Sequence, residues 1–176
     1  MKLGDYKLIF VTVLVIHLIY PYFAIKSYYG LKEYRSLYGL NFLKTEYPDN
    51  YAAVNWINSH ISGQPVMLEA SGDSYTTFNQ ISASTGLPTV EGWIVHEWLW
   101  RGGYDQPAAR AADVQKIYES GSLGEMQSLL KKYNVKYIFV GSKEVEKYPK
   151  LNIQNFDLIG AKIIFQSGDT KIYQLP

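Results

Sequence analysis

The densest run of chemistry-bearing side chains lies between residues 69 and 113: Glu69, then Ser71-Gly72-Asp73-Ser74-Tyr75, then Trp93, His96-Glu97, Trp98, Trp100-Arg101, and finally Arg110 and Asp113. Trp93, Trp98 and Trp100 fall within eight residues of one another. Aromatic faces beside carboxylates and a guanidinium are what a carbohydrate platform uses, because sugar CH groups stack on the ring while Glu or Asp accepts from hydroxyls. The same set suits a surface that docks on another polypeptide or on lipid headgroups, where Trp and Arg are favoured, and packing in the core is a third reading. The stretch after Glu69 follows the C-terminal end of an expected strand, where open α/β sheets place ligands. Its structural alternative is a strand-to-helix turn in which Asp73 or Ser74 caps the next helix.

Other chemistries are narrowed by what is missing. His96-Glu97 supplies residue types that ligate metals or carry protons. HExxH would need His at position 100, where Trp100 stands, and the other histidines, His17 and His60, lie far off in sequence. No metal site is expected, and a hydrogen-bonded structural His96 is the alternative to a reactive one. Arg101, Arg110 and Asp113 could form buried ion pairs, or the arginines could hold a phosphate. Gly72 and Gly141 complete neither GxGxxG nor a P-loop, and there is no GxSxG. The absence of Cys excludes disulfides, thiolate metal sites and a Cys nucleophile. Lys plus Arg is 17 and Asp plus Glu 16, a net charge of +1 that exerts no pull towards nucleic acid. No residue is assigned a catalytic role and no cofactor is expected.

The elements that must position these residues are short. The chain has 176 residues and is 47% apolar and 19% charged, which suits one globular domain with an appendage. Tyr51, Val54, Ile57 and Ile61 have helical spacing over 49–61, after Pro48 and before Ser62-Gly63. A strand is expected over 65–70, a helix over 76–85 and an extended piece over 87–91. Pro107 suits the first turn of a helix over 107–119, with Ala111, Val114, Ile117 and Tyr118 on one face. Ser122-Leu-Gly-Glu125 reads as a capping box opening a helix with Leu123, Met126, Leu129, Leu130 and Tyr133 along its apolar stripe. Residues 136–140 read as a buried strand, 142–149 as a charged helix, and 161–166 with 170–175 as a hairpin around Ser167-Gly168-Asp169. Together these predict an α/β fold: a transmembrane helix followed by a small mixed-sheet α/β domain, with right-handed crossovers and a C-terminal β-hairpin.

Residues 8–25 carry no formal charge apart from His17 and are flanked by Lys2 and Lys7 before and by Lys26, Lys32 and Arg35 after. Eighteen residues reach about 27 Å as a helix, against a hydrocarbon core of about 30 Å. Tyr20, Tyr22, Tyr28 and Tyr29 suit one interface, and Pro21 would kink the last turn. A signal peptide and a buried soluble helix are the alternatives; no small-x-small cleavage site follows the run. The basic residues balance across the span, so they do not fix its orientation. His17 is either a functional polar group or a packing residue. The expected organisation is an anchor over 1–30, a tyrosine-rich connector over 31–44 and an α/β domain over 45–176.

Several motifs together resemble the C-terminal part of the YYY family, very hydrophobic multi-pass membrane proteins of archaea and Chloroflexi. They are Asp49-Asn-Tyr-Ala-Ala-Val-Asn-Trp56, the GQPVMLEA strand ending in Glu69-Ala70, Ser74-Tyr75, Ile81-Ser82, Thr85-Gly86-Leu-Pro-Thr-Val-x-Gly92-Trp93, His96-Glu97-x-x-Trp100-Arg101-Gly102, Arg110-x-x-Asp113, Ile117-Tyr118 and Tyr133-x-Val135-x-Tyr137-Ile-x-Val140-Gly141. The resemblance covers roughly residues 45–176. It implies similarity to the C-superfamily of membrane glycosyltransferases, which use polyprenyl-phosphate sugars, carry an extracytoplasmic C-terminal domain and keep a catalytic acid in an early loop between membrane helices. This chain has one candidate span and Tyr28-Tyr29 in place of a triple tyrosine. The resemblance therefore implies the last helix and terminal domain of a larger protein, or a split subunit. Its partners would be the cell membrane, a glycosyltransferase-like membrane portion and a carbohydrate or polyprenyl-phosphate sugar, with Glu69, Tyr75, His96, Glu97, Trp100 and Arg101 facing the membrane or ligand. The alternative is a non-enzymatic, membrane-anchored interaction or assembly domain; a soluble hydrolase with a signal peptide is a third possibility.

Overall fold

The computed structural model describes residues 3–28 and 38–176. It divides into two units, Met1–Asn41 and Phe42–Pro176. The first holds α1 (Leu3–Tyr28), within which Tyr6–Ser27 is long and apolar enough to cross a membrane, with a mean hydropathy of 2.3. Twenty-two residues at about 1.5 Å each reach about 33 Å. Its apolar side chains are uncovered all round, as at Leu8, Phe10 and Leu18, which a lipid environment accommodates and water does not. The helix runs on past Pro21 to Tyr28. His17 Nδ1 lies 2.8 Å from the Val13 carbonyl oxygen, so its own helix supplies a partner. Half of the connector expected over 31–44, residues 31–37, lies outside the described residues. Its C-terminal end is taken by a helix, α2 (Asn41–Glu46), which buries Leu43.

In the second unit, α3 (Pro48–His60) starts on a proline that needs no intrahelical donor and packs on the sheet and on a later helix. Strand β1 (Val66–Leu68) is followed by α4 (Gln80–Thr85), α5 (Ile94–Arg101), α6 (Asp105–Glu119) and α7 (Leu123–Lys132), after which β2 (Val135–Val140) lies parallel to β1. Next come α8 (Ser142–Lys147), α9 (Gln154–Leu158) and the hairpin of β3 (Lys162–Ser167) and β4 (Thr170–Gln174). The sheet order is β1-β2-β4-β3, with both pairings of β4 antiparallel. The mixed sheet and its closing hairpin are as expected.

The tyrosine excess finds a use in the core. Tyr118 on α6 stacks on Tyr148, with ring centroids 4.7 Å apart, and donates its hydroxyl to the Phe139 carbonyl at 2.8 Å. Phe156 meets both Tyr118 and Tyr173. Each ring thus fills space, and the buried phenol of Tyr118 still has a partner.

The extended piece expected over 87–91 runs beside β1, with a bridge from Met67 to Thr89; three other readings need correction. The helix expected over 76–85 is confined to Gln80–Thr85, because Tyr75 at φ 62° and Asn79 at φ 58° put left-handed turns in the segment before it. Helices α2, α5 and α9 were not anticipated; α5 and α9 have no side-chain N-cap bond to announce them. The capping box at α7 is half made. Ser122 Oγ accepts from Glu125 N, but the Glu125 carboxylate takes the Ser120 hydroxyl, and Ser120 Oγ in turn receives Ser122 N.

Candidate functional site

The site grows from the end of β1. Leu68 leads into buried Glu69 and Ala70, and the loop 71–79 is then fastened to the segment before α5 at several points. Ile94 N donates to Gly72 O at 3.1 Å, Asn79 Nδ2 to Glu91 O at 2.9 Å and Trp93 Nε1 to Phe78 O at 3.1 Å. These bonds hold Tyr75, Trp93 and His96 together. Ring centroids are 5.0 Å apart for Tyr75 and His96, 5.4 Å for Trp93 and His96, and 5.7 Å for Tyr75 and Trp93. Tyr75 is 84% exposed and keeps a left-handed backbone that a bulky residue rarely adopts.

Helix α5 carries the rest. His96 and Trp100 are four apart and share a face, as do Glu97 and Arg101. Arg101 Nε donates to the Glu97 carboxylate, which lies so close over Gly92 that a Cβ there would sit 3.1 Å from Oε1. His96, Glu97, Trp100 and Arg101 line a shallow groove of about 380 Å³. A guanidinium has five N–H donors, so the bond from Nε leaves others for an anion. Trp98 turns to Tyr104, with ring centroids 5.8 Å apart.

The other residues singled out from the sequence divide cleanly. Glu69 is 2% exposed, and its carboxylate accepts from Ile81 N at 2.8 Å and Ser82 N at 2.9 Å, so it serves as the cap of α4. Burial raises its pKa, against those hydrogen bonds. Asp73 and Ser74 do not cap that helix, which begins only at Gln80. Asp73 O accepts the Thr76 hydroxyl, and the Ser74 hydroxyl is buried without a partner. Arg110 Nη1 reaches Val90 O at 3.4 Å. Asp113 takes Lys132 Nζ and the Tyr133 hydroxyl, both at 2.7 Å, and ties α6 to α7; burial pushes its carboxyl up, and the two donors hold it below the usual range. Of the two readings for Arg101, Arg110 and Asp113, the structure does not pair them with one another: Arg101 meets Glu97, Arg110 meets Val90 O and Asp113 meets Lys132.

Two groups escaped the sequence reading. Glu91 is 2% exposed, neither carboxylate oxygen has a hydrogen-bond partner, and burial with the neighbouring Glu97 charge lifts its pKa to about 7. Arg110 and Arg101 pull the other way. An acid between Val90 and Gly92 gives no sign in sequence that its side chain turns inward. Lys147 is the other. Its ammonium donates to the Ser71 carbonyl and lies 5.0 Å from the Phe78 ring centroid, and burial lowers its pKa.

Among the described residues no group of three or more His, Cys, Asp or Glu is placed to hold a metal. A larger cavity of about 530 Å³ is bordered by Asp49, Asn50, Gly141 and Thr170. Its polar groups answer one another: Asn50 bonds Gln80 and Thr170, and Asp49 accepts the Ser167 hydroxyl. The α5 surface differs in leaving its aromatic faces open.

Fold and site together define a mixed α/β domain preceded by a helix able to span a membrane, with an aromatic, ion-paired surface on α5. No protein-family model and no curated protein matches the chain. A solved structure that resembles it is the C-terminal globular domain of an oligosaccharyltransferase from Archaeoglobus fulgidus. The two share 15% identity at a TM-score of 0.47, over 72% of this chain and 95% of that one.

Proposed function

We propose that this chain is a membrane-anchored, extracytoplasmic domain that serves a glycosyltransferase-like membrane portion by holding a sugar, or a polyprenyl-phosphate sugar, on the α5 surface. The observation that carries this reading is the convergence of Tyr75, Trp93 and His96 beside a groove walled by Glu97, Trp100 and Arg101. Indole and phenol faces stack on sugar CH groups, the Glu97 carboxylate accepts from hydroxyls, and Arg101 meets a phosphate. Strain at Tyr75 fits a ring held ready for a ligand. The sequence resemblance to the YYY family supports the same class, and no residue of this chain is given a catalytic role. Glu69, buried as a helix cap, drops out of the ligand-facing set.

Tryptophan emission tests the reading, because all four tryptophans lie in the α/β unit and none in α1. Titrating the detergent-solubilised chain with oligosaccharides and with polyprenyl phosphate gives a saturable change if the reading holds. A flat response accompanied by self-association favours the second reading, a non-enzymatic interaction domain. That alternative draws on the exposure of Leu99 and Trp100.

A further inference from the structure

We propose that the outward tip of α5 docks on the bilayer that α1 spans, with Leu99 and Trp100 entering the boundary between headgroups and acyl chains. Trp98, Leu99, Trp100 and Tyr104 are 44%, 66%, 87% and 53% exposed and stand within seven consecutive positions. Elsewhere in the α/β unit the exposed large apolar residues, such as Val145, Leu158 and Ile163, are scattered along the chain. A concentrated apolar patch on a water-facing domain marks a contact surface.

The same chain supplies the occupant. Thirteen positions, 29–41, separate α1 from the α/β unit, and at about 3.5 Å each they reach at most about 45 Å. The bilayer is thus present at high effective concentration whenever α1 is inserted. Composition agrees with an interface. Indole and phenol sit well at headgroup depth. Leu99 has nothing to offer a sugar hydroxyl, yet it is two-thirds exposed between two tryptophans. Glu97 and Arg101 already neutralise each other on the adjoining stripe, so seating the tip buries no unpaired charge from that pair. Docked in this way, α5 holds its groove at the depth where the phosphate of a lipid-linked sugar lies. The inference rests on α1 as the anchor and does not need the sugar reading.

The test uses the full chain in phosphatidylcholine vesicles whose acyl chains are brominated, with flotation and tryptophan emission as separate readouts. We expect the chain to float and its emission to be quenched. Trp98→Phe with Trp100→Phe should remove most of the quenched signal. Leu99→Glu should relieve quenching while flotation and circular dichroism stay unchanged, and Leu99→Ser serves if that variant misfolds. Flotation without quenching overturns docking and leaves the anchor. Quenching that survives loss of Trp98 and Trp100 overturns it too, as does cross-linking of copies through the patch with emission unquenched. Failure to float overturns anchor and docking together.

Discussion

Glu144, in the first turn of α8, accepts the backbone N–H of Ala70 at 2.8 Å, across 74 positions of chain, while its second oxygen takes Gly141 N at 2.9 Å. One buried carboxyl thus clasps the chain beyond the ends of the two parallel strands β1 and β2. Glu144→Ala leaves both amides buried without acceptors and should cost about 3 kcal/mol. Urea unfolding followed by tryptophan emission, which reports the α/β unit alone, measures it. An unchanged midpoint would mean that the clasp contributes nothing.

Stability should also depend on pH with an unusual sign. Burial raises Glu144 to about 7, and burial with Glu97 raises Glu91 to about 7, against 4.5 for an ordinary Glu. Between those values the folded chain holds more protons than the unfolded one. The contribution is therefore complete below about 4.5 and is lost as pH rises through about 7, with a slope of up to about 1.4 kcal/mol per pH unit for each group. The urea midpoint should be higher at pH 5 than at pH 8, and Glu91→Gln should flatten the difference. A midpoint that climbs steadily from pH 5 to pH 8 would contradict this.

The two acids flanking the loop have opposite roles. Glu69→Ala strips the cap from α4 and should lower stability by about 1–2 kcal/mol. Glu97→Gln loosens only a partly exposed helix pair, costs under about 1 kcal/mol, and should instead weaken any response to sugar. Parallel urea and titration series on both variants separate these effects; equal loss of stability would merge the roles.

How far the sequence reached follows from the same residues. The apolar pattern located β2, α6 and α7, because each buries apolar side chains in one core cluster, and Ser167-Gly168-Asp169 marked the hairpin. It missed α5, whose eight residues keep no side chain wholly buried and start on Trp93 without a cap bond. The cluster of Tyr75, Trp93, His96, Glu97, Trp100 and Arg101 was legible because its residue types are unusual together. The inward turn of Glu91 and the capping role of Glu69 were not, since both depend on amides and chain segments that the fold brings in from a distance.

Gly141 offers a test of packing apart from charge. A Cβ there would lie 2.8 Å from Asn50 Oδ1 and 2.9 Å from the Phe139 ring, and Asn50 is pinned by Gln80 and Thr170. Gly141→Ala should therefore destabilise by about 1–3 kcal/mol, read as a lower thermal midpoint. Tolerance of the methyl group would show that this corner can yield.

The proposal that α5 receives a lipid-linked sugar meets its most direct test in the affinity of the detergent-solubilised chain for a polyprenyl-phosphate hexose, compared with Arg101→Ala and Trp100→Ala. Loss of a charge-assisted bond to phosphate should weaken binding about tenfold or more for Arg101→Ala, and Trp100→Ala should weaken it as well, with both variants folded by circular dichroism. Absence of saturable binding to the unaltered chain, or equal affinity in all three proteins, would contradict the account.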